Sequence, residues 1–122
     1  MRLPVCLRRA IWPVALLLCA CSSGPQTLYY WGNYQPQVYE RLKREGKGPA
    51  EQIIALEDTA QRARARGQQL PPGFHAHLGM LYAETGKADQ VVQQFETEKA
   101  LFPESASFMD FLLTRVRGEA KP

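Results

Sequence analysis

The chain opens with Arg2, Arg8 and Arg9 and no acidic residue, and residues 10–20 that follow are uncharged and mostly apolar. Polar Ser22, Ser23, Gly24 and Pro25 end that run, and Pro13 interrupts it. It falls well short of the ~20 apolar residues a membrane-spanning helix needs, and its layout predicts a cleaved secretory signal over residues 1–20. Residues 22–27 read as a short flexible tether, and residues 28–34, LYYWGNY, form an aromatic block. Helical spacing begins after it. Within residues 36–45, Val38, Tyr39 and Leu42 share one face and Glu40 stands one turn ahead of Arg44, until Gly46 and Gly48 end the pattern. Pro49 suits a first helical turn, and Ile53, Leu56, Ala60 and Ala63 then repeat at helical spacing up to Gly67. Residues 68–73 hold two prolines and read as a loop. Beyond Ser105, an expected N-cap, Phe108, Phe111, Leu112 and Val116 make a further apolar stripe that runs to Gly118. No alternating strand pattern bounded by turn residues occurs, so the expected class is all-α.

The last four residues of the opening run and its end, Leu18-Cys19-Ala20-Cys21, resemble the lipobox of bacterial lipoproteins. The resemblance implies cleavage between Ala20 and Cys21, a diacylglycerol on the Cys21 sulfur, and usually a third acyl chain on the freed amine. Each buried methylene contributes about 0.8 kcal/mol, so one chain holds weakly whereas two or three anchor stably. Cys19 fills the small-residue place of the box. The competing reading is an ordinary cleaved signal with Cys21 as a free thiol.

Processing at that site changes what the composition says. Residues 21–122 are enough for one small domain, with residues 21–27 as lipidated cysteine and tether and 28–122 as the helical part. The formal charge of +3 disappears, because three of the fifteen basic residues lie in the leader and twelve remain against twelve acidic ones. The electrostatic footprint of a nucleic-acid binder is then missing. Cys6 and Cys19 leave with the leader and Cys21 carries lipid, so neither a disulfide nor a cysteine-based metal or catalytic site is expected. In the second helix Glu51, Glu57 and Asp58 come early and Arg62, Arg64 and Arg66 late, each sign complementing the helix dipole; solvation explains the RARAR string better than an anion-binding patch.

Residues 74–103, FHAHLGMLYAETGKADQVVQQFETEKALFP, resemble one tetratricopeptide repeat, a 34-residue helix-turn-helix unit. Leu78 and Gly79 take its adjacent apolar and small positions, Tyr82 follows, Gly86 fills the turn, Phe95 the large apolar site of the second helix, and Pro103 the closing proline. Three positions depart from the pattern. His75 stands where an aromatic is usual, and Val91 and Glu98 occupy small-residue sites, which is expected to loosen the approach of the two helices. The stripe beyond Ser105 looks like the capping helix of a solenoid, and residues 36–66 form a helix pair that lacks the repeat's spacings. The expected architecture is a short tetratricopeptide-like array of about five helices.

Little in the chain carries chemistry. His75 and His77 are the only histidines, and two residues apart on a helix they point about 200° from each other, so they do not share a metal. Ser22, Ser23, Ser105 and Ser107 lie in no nucleophile motif, and no glycine-rich phosphate loop is present. No catalytic residue, metal or dissociable cofactor is expected; a metal-dependent enzyme using His75 or His77 is the remote alternative. Tyr29, Tyr30, Trp31 and Tyr34 lie within about 13 residues of Cys21, at most roughly 45 Å of extended chain. Core packing, membrane-interface contact and partner binding are all open for them.

The lipobox, the tether, YYWGNYQPQVYERL and the repeat-like C-terminal half together are similar to an uncharacterised family of proteobacterial lipoproteins, domain of unknown function 4810. Such proteins tend to be encoded beside a lipoprotein resembling the curli secretion channel and a second small lipoprotein, which implies a shared envelope complex. The resemblance carries no activity. With Ser22 and Ser23, rather than Asp, after the acylated cysteine, the expected address is the periplasm-facing leaflet of the outer membrane. The expected role is a protein-binding adaptor, with Tyr30, Trp31, Tyr34, His75 and Tyr82 as candidate contacts and oligomeric state unassigned. A regulator of a peptidoglycan synthase or hydrolase is the alternative.

Overall fold

The computed structural model describes residues 27–43 and 46–119. Leu18, Cys19, Ala20 and Cys21, the tether to residue 26, and the Glu40–Arg44 pairing lie outside the described residues. Among those described there are five α-helices and no strand: α1 (Tyr34–Lys43), α2 (Pro49–Ala65), α3 (Phe74–Glu84), α4 (Ala88–Leu101) and α5 (Ala106–Glu119), with a 3-10 turn (Pro103–Ser105) ahead of the last. A single bridge joins Tyr29 to Gln69, and through it the aromatic block lies along the α2–α3 loop.

Local chemistry accounts for most of the helix ends. Pro49 occupies the first turn of α2, where its missing N–H costs nothing, and the Gln52 side chain reaches back to donate to the Lys47 carbonyl at 2.9 Å. Gly86 has φ +72 in the α3–α4 turn, a left-handed conformation that most side chains resist. Ser105 is not the N-cap of α5: it sits in the 3-10 turn, and its hydroxyl donates backwards to the Phe102 carbonyl at 2.8 Å.

Each helix buries a face against the next. The α2 stripe is as expected, with Ile53, Leu56 and Ala63 buried and Ala60 half-buried. Phe74, Leu78, Leu81 and Tyr82 of α3 meet Val91 and Phe95 of α4, and Met109 and Leu113 of α5 close the same core. The α3–α4 hairpin is therefore the centre of the domain, consistent with the repeat that its sequence resembles.

The helices of that hairpin are not held apart by Val91 and Glu98. Val91 packs into the core, and Gly79 keeps the contact close: a Cβ at Gly79 would lie 2.5 Å from Phe95 Cε1 and 2.7 Å from Cδ1. Glu98 is only 2% exposed, and its carboxylate faces the start of α3, which has no side-chain cap of its own. Glu98 Oε1 accepts from the Gly73 N–H at 2.6 Å, and Oε2 accepts from His75 N–H at 3.1 Å and, more weakly, from Ala76 N–H at 3.4 Å. A carboxylate from the second helix thus satisfies the free N–H groups and positive dipole end of the first. The residue that breaks the repeat pattern tightens the hairpin.

Two helices turn a different face inward from the one their spacing predicts. On α1, Tyr34, Gln37 and Arg41 face the domain and Val38 is half-buried, while Tyr39 and Leu42 are 57% and 77% exposed. The rotation is set at both ends of the helix. The Tyr34 ring lies 5.3 Å from Phe74 and 6.0 Å from His77, and Arg41 grips Glu84 with both guanidinium nitrogens, Nη1 to Oε2 at 2.9 Å. These contacts also make α1 run parallel to α3, start beside start and end beside end. On α5, Leu112 and Val116 pack half-buried against the core as their spacing predicts, but Met109 and Leu113 are the fully buried residues and Phe108 and Phe111 are exposed and stacked on each other. Apolar residues occupy so much of the α5 circumference that spacing alone admits either face.

Surface ion pairs link elements without dominating stability. Lys99 reaches Asp110 at 2.6 Å, joining α4 to α5, and Arg62 pairs with Asp58 at 2.9 Å within α2. Exposed pairs of this kind contribute little, because water and salt screen them. Arg66 lies over the Tyr30 ring at 4.9 Å, so two arginines of the RARAR string already have partners inside the domain.

Candidate functional site

The helices α1, α3 and α5, each the first of its hairpin or the cap, leave a groove between them. Arg41 of α1, Met80, Ala83 and Glu84 of α3, and Leu112 and Val116 of α5 line a volume of about 380 Å³. Its floor is apolar, with Phe95 beneath, and Arg115 stands at the rim with its guanidinium 4.6 Å from the Phe111 ring centre. The Arg41–Glu84 ion pair closes one end. The bond to Arg41 holds the Glu84 carboxyl below its usual range, and Arg41 is raised in turn by the same bond. An apolar trough of this size bordered by charged groups fits an extended segment or helix edge of a protein better than a small polar metabolite.

The five contact residues expected from sequence do not gather here. Trp31 and Tyr34 stack at 6.2 Å beside the start of α3, and Tyr30 lies behind them against Arg66. His75 faces away from α1; its Nδ1 lies 2.7 Å from Gln94 Oε1, in a shallow cavity of about 310 Å³ with Ala60, Leu70 and Leu101. Tyr82 is 4% exposed, with its ring in the core and its hydroxyl donating to Glu57 at the wall of a third cavity, where Lys87 covers the ring. Burial, and then the bond to Glu57, pushes the Tyr82 hydroxyl up to about 12, so it stays protonated. Burial also raises the Tyr34 hydroxyl, and the Glu98 charge adds to it. The aromatic block is thus split. Tyr29 packs edge-on against Phe102 at 6.1 Å and Tyr34 against Phe74, while Trp31 keeps 38% of its surface.

His77 is buried between α3 and α1, and its Nε2 has no hydrogen-bond partner among the described residues. Burial lowers its pKa and the Arg41 charge lowers it further, against a smaller opposing pull from Glu84. The folded state therefore holds this imidazole neutral at a pH where the unfolded chain, titrating near 6.5, has begun to take up a proton. The stability this contributes is complete above about pH 6.5 and is lost as pH falls through the folded value. Denaturant unfolding of the protein at pH 7.5 and pH 5.5 is expected to show an acid-side loss, bounded by about 1.4 kcal/mol per pH unit for one proton, that is abolished in His77→Leu. An unchanged slope in that variant would place the acid sensitivity elsewhere.

His75 and His77 thus point to different helices, and among the described residues no group of three or more His, Cys, Asp or Glu side chains is arranged to hold a metal ion. Arg41, Glu84 and Glu98 escaped the sequence reading because their partners lie on other helices, and Gln37 because its burial depends on how α1 is mounted. Only Glu98 left a trace there, as a charged residue at a position that must be buried.

No curated protein and no solved structure matches the chain. A family profile does: it spans residues 28–112, from the aromatic block to Leu112 in the first half of α5, and carries the description Domain of unknown function (DUF4810). The match takes in the α1–α3 pairing, the Glu98 cap and the central hairpin alike, and the chain belongs to this family.

Proposed function

We propose that this protein is a lipid-anchored adaptor of the bacterial envelope. Acyl chains on Cys21 hold it to the periplasmic leaflet of the outer membrane, and the groove between α1, α3 and α5 receives a protein partner. The observation that carries the adaptor reading is that groove, an unfilled apolar trough bordered by Arg41, Glu84 and Arg115 on three helices. The leader and the Leu18-Cys19-Ala20-Cys21 box support the anchor. Anchoring confines the domain to a surface, so a contact too weak to persist in solution becomes effective at the raised local concentration. A lipoprotein resembling the curli secretion channel is the favoured partner, and the domain works by binding rather than by catalysis.

Photo-crosslinking in intact cells from positions 80 and 112 tests the groove. Capture of a secretion-channel-like lipoprotein, lost on Leu112→Glu, is the expected result. Capture of a peptidoglycan synthase or hydrolase would move the assignment to a cell-wall regulator, and crosslinks that survive the charged substitution would remove the groove from the interface. The anchor has its own test. Cys21→Ala is expected to leave the leader uncleaved and to abolish incorporation of labelled palmitate, whereas mass spectrometry of the wild-type protein should show a leaderless chain that begins at acylated Cys21. Retained labelling in Cys21→Ala would refute the lipid attachment.

A further inference from the structure

Helix α1 is mounted with its polar side inward. Gln37 is buried, with its Oε1 lacking a partner among the described residues, and Arg41 is held by Glu84. The opposite face presents Tyr39 and Leu42 to solvent, and Lys43 Nζ lies 4.9 Å above the Tyr39 ring. Immediately upstream, Leu28 is 78% exposed and Trp31 retains a free edge. Half of the eight large exposed hydrophobic residues in the described chain fall within residues 28–42, the segment by which the chain enters the domain. An amphipathic helix ordinarily buries such a face. Here the contacts of Tyr34 and Arg41 keep it outward, which leaves it for something outside the fold.

Three features identify the occupant as a bilayer. Leu28 is seven residues from Cys21, at most about 25 Å of extended chain, so a domain anchored at Cys21 keeps this surface within reach of the headgroups. Trp, Tyr and Leu edged by lysine is the composition of a membrane interface, where aromatic rings sit at headgroup depth and a lysine stem lies along them with its ammonium at the polar edge. The outward positions Gln35, Tyr39, Leu42 and Lys43 include a cation and no carboxylate, which suits anionic lipid. No described helix is long and apolar enough to cross a membrane, so the contact is peripheral.

We propose that Leu28, Trp31, Tyr39 and Leu42, with Lys43, form a second, non-covalent attachment that lays α1 along an anionic bilayer surface. The proposal rests on acylation of Cys21. Its consequence is orientation: α1 also supplies Arg41 to the groove, so docking α1 sets the groove's direction relative to the membrane.

The test uses the acylated protein in vesicles of phosphatidylethanolamine and phosphatidylglycerol that contain brominated lipid. Trp31 is the only tryptophan after residue 20, so its emission reports the segment that enters α1. Trp31 is expected to be quenched. With Trp31→Phe as background, a tryptophan introduced by Leu42→Trp is expected to be quenched at least twofold more than one introduced by Gln93→Trp at an exposed position of α4. Phosphatidylcholine vesicles should reduce the difference. Equal quenching at positions 42 and 93 in protein shown by mass spectrometry to be acylated would overturn the docking while leaving the anchor intact. A chain without acyl groups would overturn the anchor, and the docking with it.

Discussion

Glu98→Ala is expected to destabilise the domain by about 3 kcal/mol, read as a lowered midpoint of urea unfolding at an unchanged slope. The carboxylate is buried, and it is the shared acceptor for the Gly73, His75 and Ala76 N–H groups. Removing it leaves donors at a buried helix start without partners, and hydrogen bonds to a charged acceptor are worth about 1.5–3 kcal/mol. It also leaves a cavity between α3 and α4. Glu98→Gln keeps one acceptor oxygen but loses the charge that the helix dipole favours, so about half the loss is expected. Glu96→Ala serves as the control, because Glu96 is exposed on the same helix and pairs only with surface cations. If Glu98→Ala were no more harmful than Glu96→Ala, the cap would have no energetic role.

Phe95→Ala is expected to cost more, about 4 kcal/mol, because its ring is 2% exposed and fills the space between α3 and α4. The same ring explains why residue 79 is glycine. Gly79→Ala gains about 1 kcal/mol of helix propensity, yet its new Cβ would press on Phe95 Cε1 and Cδ1, at a cost of about 1–3 kcal/mol. Alone, Gly79→Ala should therefore destabilise. In a Phe95→Ala background, where the offending ring atoms are gone, the same substitution should become neutral or stabilising. The sign reversal in a double-mutant cycle is the readout, and additivity of the two changes would mean that the helices do not meet at this point.

The membrane and partner assignments have different physical origins. The anchor follows from chemistry that residues 18–21 carry by themselves. The groove and the outward face of α1 exist only because helices distant in sequence are brought together, and the Arg41–Glu84 pair that defines both joins positions 43 apart. Charge reversal at that pair, Arg41→Glu with Glu84→Arg, should preserve the mounting of α1, whereas either change alone should loosen it.

What was legible from sequence were the features encoded by short-range spacing. The all-α class, the turn at Gly86, the first-turn proline at Pro49 and the buried stripe of α2 all depend on residues within a few positions of one another, where steric and hydrogen-bonding preferences act directly. The α3–α4 hairpin was legible for the same reason, since its pattern repeats over one unit. The faces of α1 and α5 were not. The α1 segment has few apolar residues and α5 has them on several sides, so periodicity alone names no single inward direction, and the choice fell to Tyr34 on Phe74, Arg41 on Glu84 and Met109 in the core. Glu98 shows the limit most clearly: its charge at a buried position was visible in the chain, but the N–H groups that make it favourable belong to a helix start 22–25 residues away. Local free energies select helices and turns, whereas the rotation of a helix and the pairing of a buried charge depend on contacts that form only once the chain has packed.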